Sequence, residues 1–228
     1  MQNYYAGKLN AAKLFQVYET GIERVWQYLE AEIDFVRKDL QGHERILELG
    51  AGYGRIMKKL APFAASIVGI DISEDSIAFG KAYLEDTPNC SLVAMDAHTL
   101  DYRNEFDIVI CLQNGLSAMK GDPLDLVRRA MAALVPGGRA YFSSYSPRFW
   151  EARLAWFQEQ ASRGLLGEID RGKTKDGKIV CKDGFTATTF SAGDLAELGD
   201  KVGCACRIEE VDESSLFAIL EKEPGVRP

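Results

Sequence analysis

The stretch Ile46-Leu-Glu-Leu-Gly-Ala-Gly-Tyr-Gly-Arg55 decides how the rest of the chain is interpreted. A short apolar run carries one acid, Glu48, and leads into glycines at alternate positions, Gly50, Gly52 and Gly54, before an apolar helix-like segment. Because glycine lacks a Cβ and tolerates positive φ, such a strand–turn–helix lets the backbone approach a ligand closely. The turn also directs free helix N–H groups at that ligand.

The spacing of the glycines separates two classes of cofactor site. Dinucleotide enzymes use G-x-G-x-x-G, whereas this chain has Arg55 at the third position and its third glycine one residue earlier. The pattern Glu-x-Gly-x-Gly-x-Gly instead resembles the first motif of class I methyltransferases that depend on S-adenosylmethionine (SAM). A tight turn without a ligand could use the same glycines. The resemblance implies that the segment binds SAM through Glu48, Gly50, Ala51, Gly52, Gly54 and Arg55.

A second short apolar run, Ser66-Ile-Val-Gly-Ile-Asp71, also ends in an acid. Ligands of parallel α/β sheets bind at the carboxyl ends of the strands, and a carboxylate there can accept hydrogen bonds from both hydroxyls of a ribose. The resembling family uses its matching acid in this way. The resemblance therefore assigns Asp71 to the ribose of SAM and places Ile72 against the adenine.

Three further segments follow in the order that the family shows. The run from Ser91 ends in Asp96 and Ala97, where the family commonly has an Asp near the adenine amino group. The run from Phe106 leads to Gln113, whose amide could hold the amino group of the cofactor or of an acceptor. Leu134–Phe142 contains the family's Pro-Gly-Gly turn. Each acid alone could equally be a strand-end cap, but the ordered set over residues 45–146 indicates a SAM-binding fold.

Alternating strand and helix patterns predict an α/β protein with right-handed crossovers and a parallel sheet. The resemblance implies a Rossmann-like class I methyltransferase fold: a seven-stranded, mostly parallel sheet with one antiparallel strand, N-terminal helices, and an insert after the fifth strand. The predicted strands are near 45–49, 66–71, 91–95, 106–112, 138–145, 204–211 and 215–220, and the core helices near 54–63, 74–85 and 123–134.

Three units follow from these patterns. Residues 1–44 form an N-terminal helical lid, residues 45–147 and 191–222 form the SAM-binding core, and residues 148–190 form an inserted substrate cap. The insert could instead be a dimerisation arm, which makes a homodimer the alternative. Candidate lid residues are Tyr4, Tyr5 and Tyr18, although a tyrosine on an amphipathic helix often simply packs.

Composition limits the setting of the protein. The chain has 228 residues and 46% hydrophobic residues, enough for one well-filled domain. Its apolar runs are too short to span a membrane, and its first residues lack a signal-peptide pattern, so we expect no membrane association and a cytoplasmic location. Five scattered cysteines fit a reducing compartment. Cys204-Ala-Cys206 lacks partners at zinc spacing, so no metal is expected.

Charge argues against a nucleic-acid partner. The formal net charge is −7, whereas nucleic-acid binding needs a basic face that releases counterions. The basic cluster from Arg171 to Lys178 contains Asp176 and is typical of a solvated hairpin. The sequence after the fourth strand lacks the Pro-Pro-Tyr and Pro-Cys signatures of polynucleotide methylation. We therefore expect a small-molecule substrate.

Methyl transfer is an in-line displacement that depends on orientation and exclusion of water. The catalytic residues are accordingly unknown from sequence. His98 lies at the carboxyl edge of the sheet and could be a base, a cap or an adenine-side contact, whereas His43 precedes the first strand. Candidate substrate-binding residues are Asn114, Tyr145, Trp150 and Tyr18.

The sequence thus predicts a SAM-dependent methyltransferase acting on a small-molecule acceptor. Two alternatives stay open: a SAM-binding sensor or non-catalytic subunit without methyl transfer, and another SAM-using transferase such as an aminopropyl transferase. The acids at positions 48, 71 and 96 favour ligand binding in all three cases. The acceptor atom (N, O, S or C) is not encoded in these motifs.

Overall fold

The computed structural model describes residues 11–225, so the predicted lid residues Tyr4 and Tyr5 lie outside the described part. The strands in this range are Arg45–Leu49 (β1), Ser66–Asp71 (β2), Cys90–Ala94 (β3), Phe106–Cys111 (β4), Leu134–Tyr145 (β5), Ile179–Val180 (β6), Thr186–Ala187 (β7), Ala205–Val211 (β8) and Ser215–Glu221 (β9). The α-helices are Ala11–Val17 (α1), Glu23–Arg37 (α2), Arg55–Leu60 (α3), Glu74–Tyr83 (α4), Gly115–Ala118 (α5), Pro123–Ala133 (α6), Trp150–Ser162 (α7) and Ala192–Val202 (α8).

The central sheet has seven strands in the order β3-β2-β1-β4-β5-β9-β8. Strand β9 runs antiparallel to both of its neighbours, and the other pairs are parallel. The turn between β8 and β9 explains the reversal: Asp212 and Glu213 both have positive φ, as in the hairpin turns that join antiparallel strands. The predicted seven-stranded, mostly parallel sheet with one antiparallel strand is confirmed.

Helices cover both faces of the sheet. Neighbouring residues of β1 face opposite sides: Ile46 packs with Ile33 of α2, and Leu47 packs with Leu126 of α6. A sheet buried on both faces needs near-continuous apolar strands, which is why β1, β2 and β4 gave clear signals in the sequence. The helices on both faces therefore fix the positions of the carboxyl ends of β1, β2, β3 and β4.

The predicted N-terminal helical region consists, within the described residues, of two helices separated at residues 18–22. Helix α2 packs against the sheet through Ile33 and Val36 and against the insert through Val25 and Leu29. It therefore joins the two parts of the molecule rather than lying loosely beside the core. Helix α1 lies over the carboxyl edge of the sheet, where Leu14 contacts the glycine turn.

The insert contains one helix and a small two-stranded sheet. Helix α7 follows β5 after a 3-10 turn, Pro147–Phe149. The predicted Lys175–Lys178 turn is present, with positive φ at Asp176 and Gly177. A second turn, over residues 181–185, joins β6 to β7, so the insert has two successive turns where the sequence predicted a single hairpin.

Two findings concern the chain between residues 11 and 225 as a whole. Its helices are too short or too polar to cross a membrane. The same range contains no cluster of three His, Cys, Asp or Glu side chains that could hold a metal ion. All five cysteines are free.

Candidate active site

The glycine turn joins β1 to α3 in the conformation that only glycine adopts readily. Gly50, Gly52 and Gly54 have φ values of 71°, 56° and 87°. A Cβ on Gly50 would lie 2.8 Å from Met119 Cε, and one on Gly52 would lie 2.8 Å from Leu14 Cδ2. Both glycines therefore keep the backbone open at the cavity beside them, since a side chain would be strained and crowded.

Gly54 has a different role, which the sequence did not separate from that of the other two glycines. It is the N-cap of α3, and a Cβ there would lie 2.7 Å from Leu84 Cδ1. It does not line the cavity. Its absence of a side chain allows the turn to pack closely against the region after α4.

Asp71 ties the glycine turn to the end of β2. Its Oδ2 accepts a hydrogen bond from Gly52 N at 2.9 Å, and its Oδ1 accepts one from Ser73 N at 2.8 Å. Burial raises the pKa of the carboxyl group, and the two backbone hydrogen bonds oppose that rise. A carboxylate has about four lone-pair sites, so both oxygens can accept further hydrogen bonds from a ligand in the cavity.

A cavity of about 400 Å³ lies over the carboxyl ends of β1, β2, β3 and β4. This volume is within the range of small-molecule and cofactor sites. It brings together ten of the eleven residues that the sequence assigned to the cofactor: Glu48, Gly50, Ala51, Gly52, Arg55, Asp71, Ile72, Asp96, Ala97 and Gln113.

Of the five buried polar atoms without partners on cavity-lining residues in the described chain, four lie at one end of the cavity, and the fifth, His98 Nε2, lies at the other. Glu48 is 3% exposed, and burial raises its pKa to about 8 against the opposing effect of Arg55. Within the described chain, Glu48 Oε2, Arg55 Nε and Nη2, and Gln113 Nε2 have no hydrogen-bond partner. An unsatisfied buried polar atom costs about 1–3 kcal/mol. The end of the cavity near β1 and β4 therefore fits a ligand with polar or charged groups.

The opposite end lies near the carboxyl ends of β2 and β3 and opens to solvent at Ile72. Ile72 is 46% exposed, which leaves its side chain free to lie against a flat ring. Asp96 Oδ1 accepts from His98 N at 2.9 Å and caps the short turn Ala97–Thr99. His98 Nδ1 lies 3.5 Å from Asp125 Oδ2, so this histidine also has a structural partner.

The predicted substrate residues divide into two groups. Tyr18 and Tyr145 line the cavity, and Asn114 and Trp150 do not. Asn114 Nδ2 donates to Thr188 O at 2.9 Å, and its Oδ1 accepts from Ser144 Oγ at 3.0 Å. Its amide thus holds the insert against β5.

Helix α7 and the small sheet supply four cavity residues that were not assigned to the site from sequence. They are Trp156, Phe157, Gln160 and Phe185. The sequence leaves Trp156 and Phe157 open between lining a pocket and packing in a helix core, and the core is the more common meaning of aromatic residues on such a helix. A glutamine on that face, at position 160, was the available signal.

A further polar residue, Glu32 of α2, lies directly behind the site. It is fully buried and accepts hydrogen bonds from Gln113 N at 2.7 Å, Ser143 Oγ at 2.8 Å and Ser215 Oγ at 2.5 Å. Burial raises its pKa to about 7, and these hydrogen bonds oppose the rise. Gln113 has a positive φ of 55°, so the carboxylate supports a strained backbone position. An acid within the apolar stripe of α2 was its signal in the sequence.

Comparison with known proteins agrees with this arrangement. Residues 46–138 match a family described as "Methyltransferase domain". A ubiquinone biosynthesis O-methyltransferase from Hydrogenovibrio crunogenus is 28% identical over 71% of this chain and 66% of its own length. One from Coxiella burnetii is 28% identical over 54% of this chain and 50% of its own. The chain thus spans between half and two thirds of these relatives.

Solved structures extend the fold match to nearly the whole chain. The 1,6-didemethyltoxoflavin-N1-methyltransferase of Burkholderia thailandensis, with bound 1,6-didemethyltoxoflavin and S-adenosylhomocysteine, has a TM-score of 0.66 at 17% identity and covers 98% of this chain and 91% of that one. Residues 46–138 therefore match a methyltransferase domain, and nearly the whole chain shares the fold of a SAM-dependent methyltransferase of solved structure. The family prediction made from the glycine turn is confirmed.

Proposed function

We propose that this protein transfers a methyl group from SAM to a small-molecule acceptor. The observation that carries the proposal is the single cavity in which the glycine turn, Asp71 and the unpartnered atoms of Glu48 and Arg55 meet. The match of residues 46–138 to a methyltransferase domain supports it, as do relatives named as O-methyltransferases. The bound S-adenosylhomocysteine of the Burkholderia enzyme supports SAM as the cofactor.

In this proposal, each end of the cavity binds a different part of SAM. At the open end, Asp71 accepts the ribose hydroxyls, and Ile72 lies against the adenine beside Asp96 and Ala97. The partly exposed Ile72 and the remaining lone pairs of Asp71 fit these groups.

The amino acid moiety of SAM occupies the other end, which carries unpartnered atoms of both signs. Glu48 attracts its ammonium group, Arg55 attracts its carboxylate, and the Gln113 amide donates to it. Such a pairing satisfies buried polar atoms that the protein leaves unsatisfied.

The protein's contribution to the reaction is orientation and exclusion of water. SAM supplies an electrophilic methyl group on sulfur, and the acceptor attacks in line. Helix α1 and the segment after it border the cavity and are held to the insert by hydrogen bonds from Trp156 Nε1 to Val17 O at 3.1 Å and from Arg163 Nη1 to Glu19 O at 2.6 Å. We infer that, of the predicted lid at residues 1–44, the segment 11–22 acts as the lid, because α2 packs into the sheet core. Residues 148–190 act as the substrate cap in this proposal.

This proposal assigns no residue as a general base. His98 lies near Asp96, at the proposed adenine end; its Nδ1 has Asp125 as a partner, and its buried Nε2 has none among the described residues. Free cysteines at all five positions fit a reducing compartment such as the cytoplasm. The alternative of a dimerisation arm for residues 148–190 predicts a dimer in sedimentation experiments.

A second candidate function is suggested by a solved structure of the same fold. The [4+2]-cyclase SpnF has a TM-score of 0.62 at 17% identity and covers 85% of this chain and 80% of that one. A fold alone does not fix the reaction. The second candidate is therefore a protein that binds SAM without transferring its methyl group.

Titration calorimetry followed by an activity assay separates these candidates. We expect SAM and S-adenosylhomocysteine to bind and to raise the melting temperature, while NAD does neither. Incubation with SAM and a panel of small-molecule acceptors should then release S-adenosylhomocysteine. Binding without release across a broad panel would favour the second candidate, and binding of NAD in place of SAM would contradict both.

A further inference from the structure

The wall of the cavity formed by the insert differs from the rest because it carries no charge. Its residues are Trp156, Phe157, Gln160 and Phe185. The charged side chains that line the cavity belong to other segments: Glu48, Arg55, Asp71, Asp96 and Lys120. Burying an ion without a counter-charge is costly. A ligand against the insert wall is therefore expected to be neutral.

Gln160 is the one polar side chain of this wall. Its side chain is 3% exposed and borders the cavity, and its amide has no hydrogen bond to another side chain or to backbone among the described residues. Its unused donor and acceptor thus point to a ligand with a hydrogen-bonding group at its edge.

The nearby tyrosine rings argue against a cationic ligand. The Arg55 guanidinium lies 4.4 Å from the ring centroid of Tyr18, and that of Arg153 lies 4.3 Å from the ring centroid of Tyr145. The same Arg153 guanidinium lies 5.5 Å from the ring centroid of Phe157 behind the wall, where it donates hydrogen bonds to Gly177 O at 2.7 Å and Ala187 O at 3.3 Å and does not line the cavity. Aromatic faces attract cations, but these three rings already contact cations of the protein. The aromatic wall is therefore available for ring stacking and apolar contact.

We propose that the insert wall is the acceptor subsite and that it takes an uncharged, flat aromatic molecule whose polar edge hydrogen-bonds the Gln160 amide. This proposal rests on the proposed function, because it assigns the sheet-edge wall of the cavity to SAM. Specificity then comes from two sources. Stacking on Trp156, Phe157 and Phe185 selects a ring, and the lack of a counter-charge rejects charged analogues.

Three naphthols test the charge requirement on the unmodified protein. Calorimetry with saturating S-adenosylhomocysteine would measure the affinity of a neutral naphthol, the same naphthol with a carboxylate, and the same naphthol with a trimethylammonium group. We expect the neutral compound to bind and each charged one to bind at least about tenfold more weakly. Equal or tighter binding of either charged naphthol would overturn the proposal, as would no binding of the neutral one.

Gln160→Met tests the amide, since methionine keeps a similar volume without hydrogen-bonding capacity. Affinity for the neutral naphthol should fall about three- to tenfold, whereas affinity for S-adenosylhomocysteine stays unchanged. The matched control is Gln158→Met, because Gln158 is exposed on the same helix, and it should change neither affinity. An unchanged naphthol affinity in the folded Gln160→Met protein would contradict the assignment.

Failure of the proposed function gives a different result. A protein that binds no S-adenosylhomocysteine contradicts the cofactor assignment, and the naphthol series repeated without it still measures the preference of the insert wall. Neutral preference without cofactor binding would retain the subsite and reject the methyltransferase. Cofactor binding with a preference for charged naphthols would retain the methyltransferase and reject the proposed acceptor subsite.

Discussion

The two walls of the cavity are built on different principles. The wall at the sheet edge consists of backbone and short polar groups, as in the contact between Gly52 N and Asp71. The wall from the insert consists of large side chains on a helix and a small sheet, such as Trp156 and Phe185. A backbone wall suits a ligand that stays constant, because few substitutions can alter it. A side-chain wall suits an acceptor that differs between enzymes, because each residue can change alone.

The largest effect is expected when Asp71 of the sheet-edge wall is replaced. Replacing Asp71 with Ala removes the proposed ribose hydrogen bonds, and SAM affinity should fall by about 2–4 kcal/mol. The change also removes the acceptors for Gly52 N and Ser73 N, so the free energy of unfolding should fall by about 1–3 kcal/mol. Calorimetry with SAM and urea denaturation measure the two effects.

Asp101→Ala is the control for that experiment, since Asp101 is exposed. It should leave SAM affinity and stability unchanged. Equal SAM affinity in the folded Asp71→Ala and Asp101→Ala proteins would rule out the ribose assignment.

The second-largest effect concerns Glu32, the buried carboxyl group behind the cavity, and the pH dependence of stability. The folded-state pKa of Glu32 is raised to about 7 from the usual 4.5, so the native state binds more protons than the unfolded state between these values. Its contribution to stability is therefore greatest below the unfolded pKa and is lost as pH rises through about 7. Glu48 acts in the same direction, with a pKa of about 8.

Glu32→Gln should remove part of this dependence. Between about pH 5 and pH 8, the free energy of unfolding of the unmodified protein should fall by roughly 2–3 kcal/mol more than that of the variant. Urea denaturation at a series of pH values measures the difference. Glu23→Gln, on the exposed side of the same helix, should retain the original pH dependence. Parallel curves for the unmodified protein and Glu32→Gln would contradict the raised pKa.

A smaller effect is expected when the contact between Trp156 of the insert wall and α1 is weakened. Trp156→Phe keeps an aromatic ring but removes the hydrogen bond to Val17 O, which is worth about 1 kcal/mol. The N-terminal segment should become more sensitive to brief proteolysis, while SAM affinity changes less than in Asp71→Ala. Phe157→Tyr, whose residue lacks such a bond, serves as the control. Unaltered proteolysis of Trp156→Phe would show that this bond does not hold α1.

The smallest effect sharpens the sheet-edge wall at its open end. Ile72→Ala removes apolar surface that is already 46% exposed, so the unfolding transition should hardly move. Loss of part of the adenine contact should weaken SAM binding about three- to fivefold. Calorimetry with SAM and with isolated methionine distinguishes the cause, because methionine binding should not change. A matching loss for methionine would place Ile72 away from the adenine.

The sheet-edge wall and the insert wall also differ in how far they could be predicted from sequence. The glycine turn was readable because it depends on local backbone requirements, as the positive φ of Gly50 and Gly52 illustrates. The seven-stranded sheet with one antiparallel strand followed from the family resemblance. The role of Gly54 was not separable, since its close neighbour Leu84 is thirty residues away along the chain.

The insert wall was less accessible to sequence reasoning because its roles depend on tertiary neighbours. Asn114 and Gln160 both carry amides, yet Asn114 is fully bonded to Thr188 and Ser144, whereas Gln160 is not bonded to protein within residues 11–225. Nothing in the local pattern distinguishes the two. Glu32 was closer to being predictable, because an acid in an apolar helical stripe requires partners.

Helix α1 has a kinetic consequence that concerns the order of events in a turnover. Leu14 lies over the glycine turn, and Val17 and the following Tyr18 contact Trp156 of the insert wall, so one short segment borders both walls of the cavity. As the proposed lid, this segment would make cofactor exchange and acceptor exchange depend on the same opening step. We expect the two product-release rates to slow together when solvent viscosity rises, and a rate-limiting opening would make kcat insensitive to the reactivity of the acceptor.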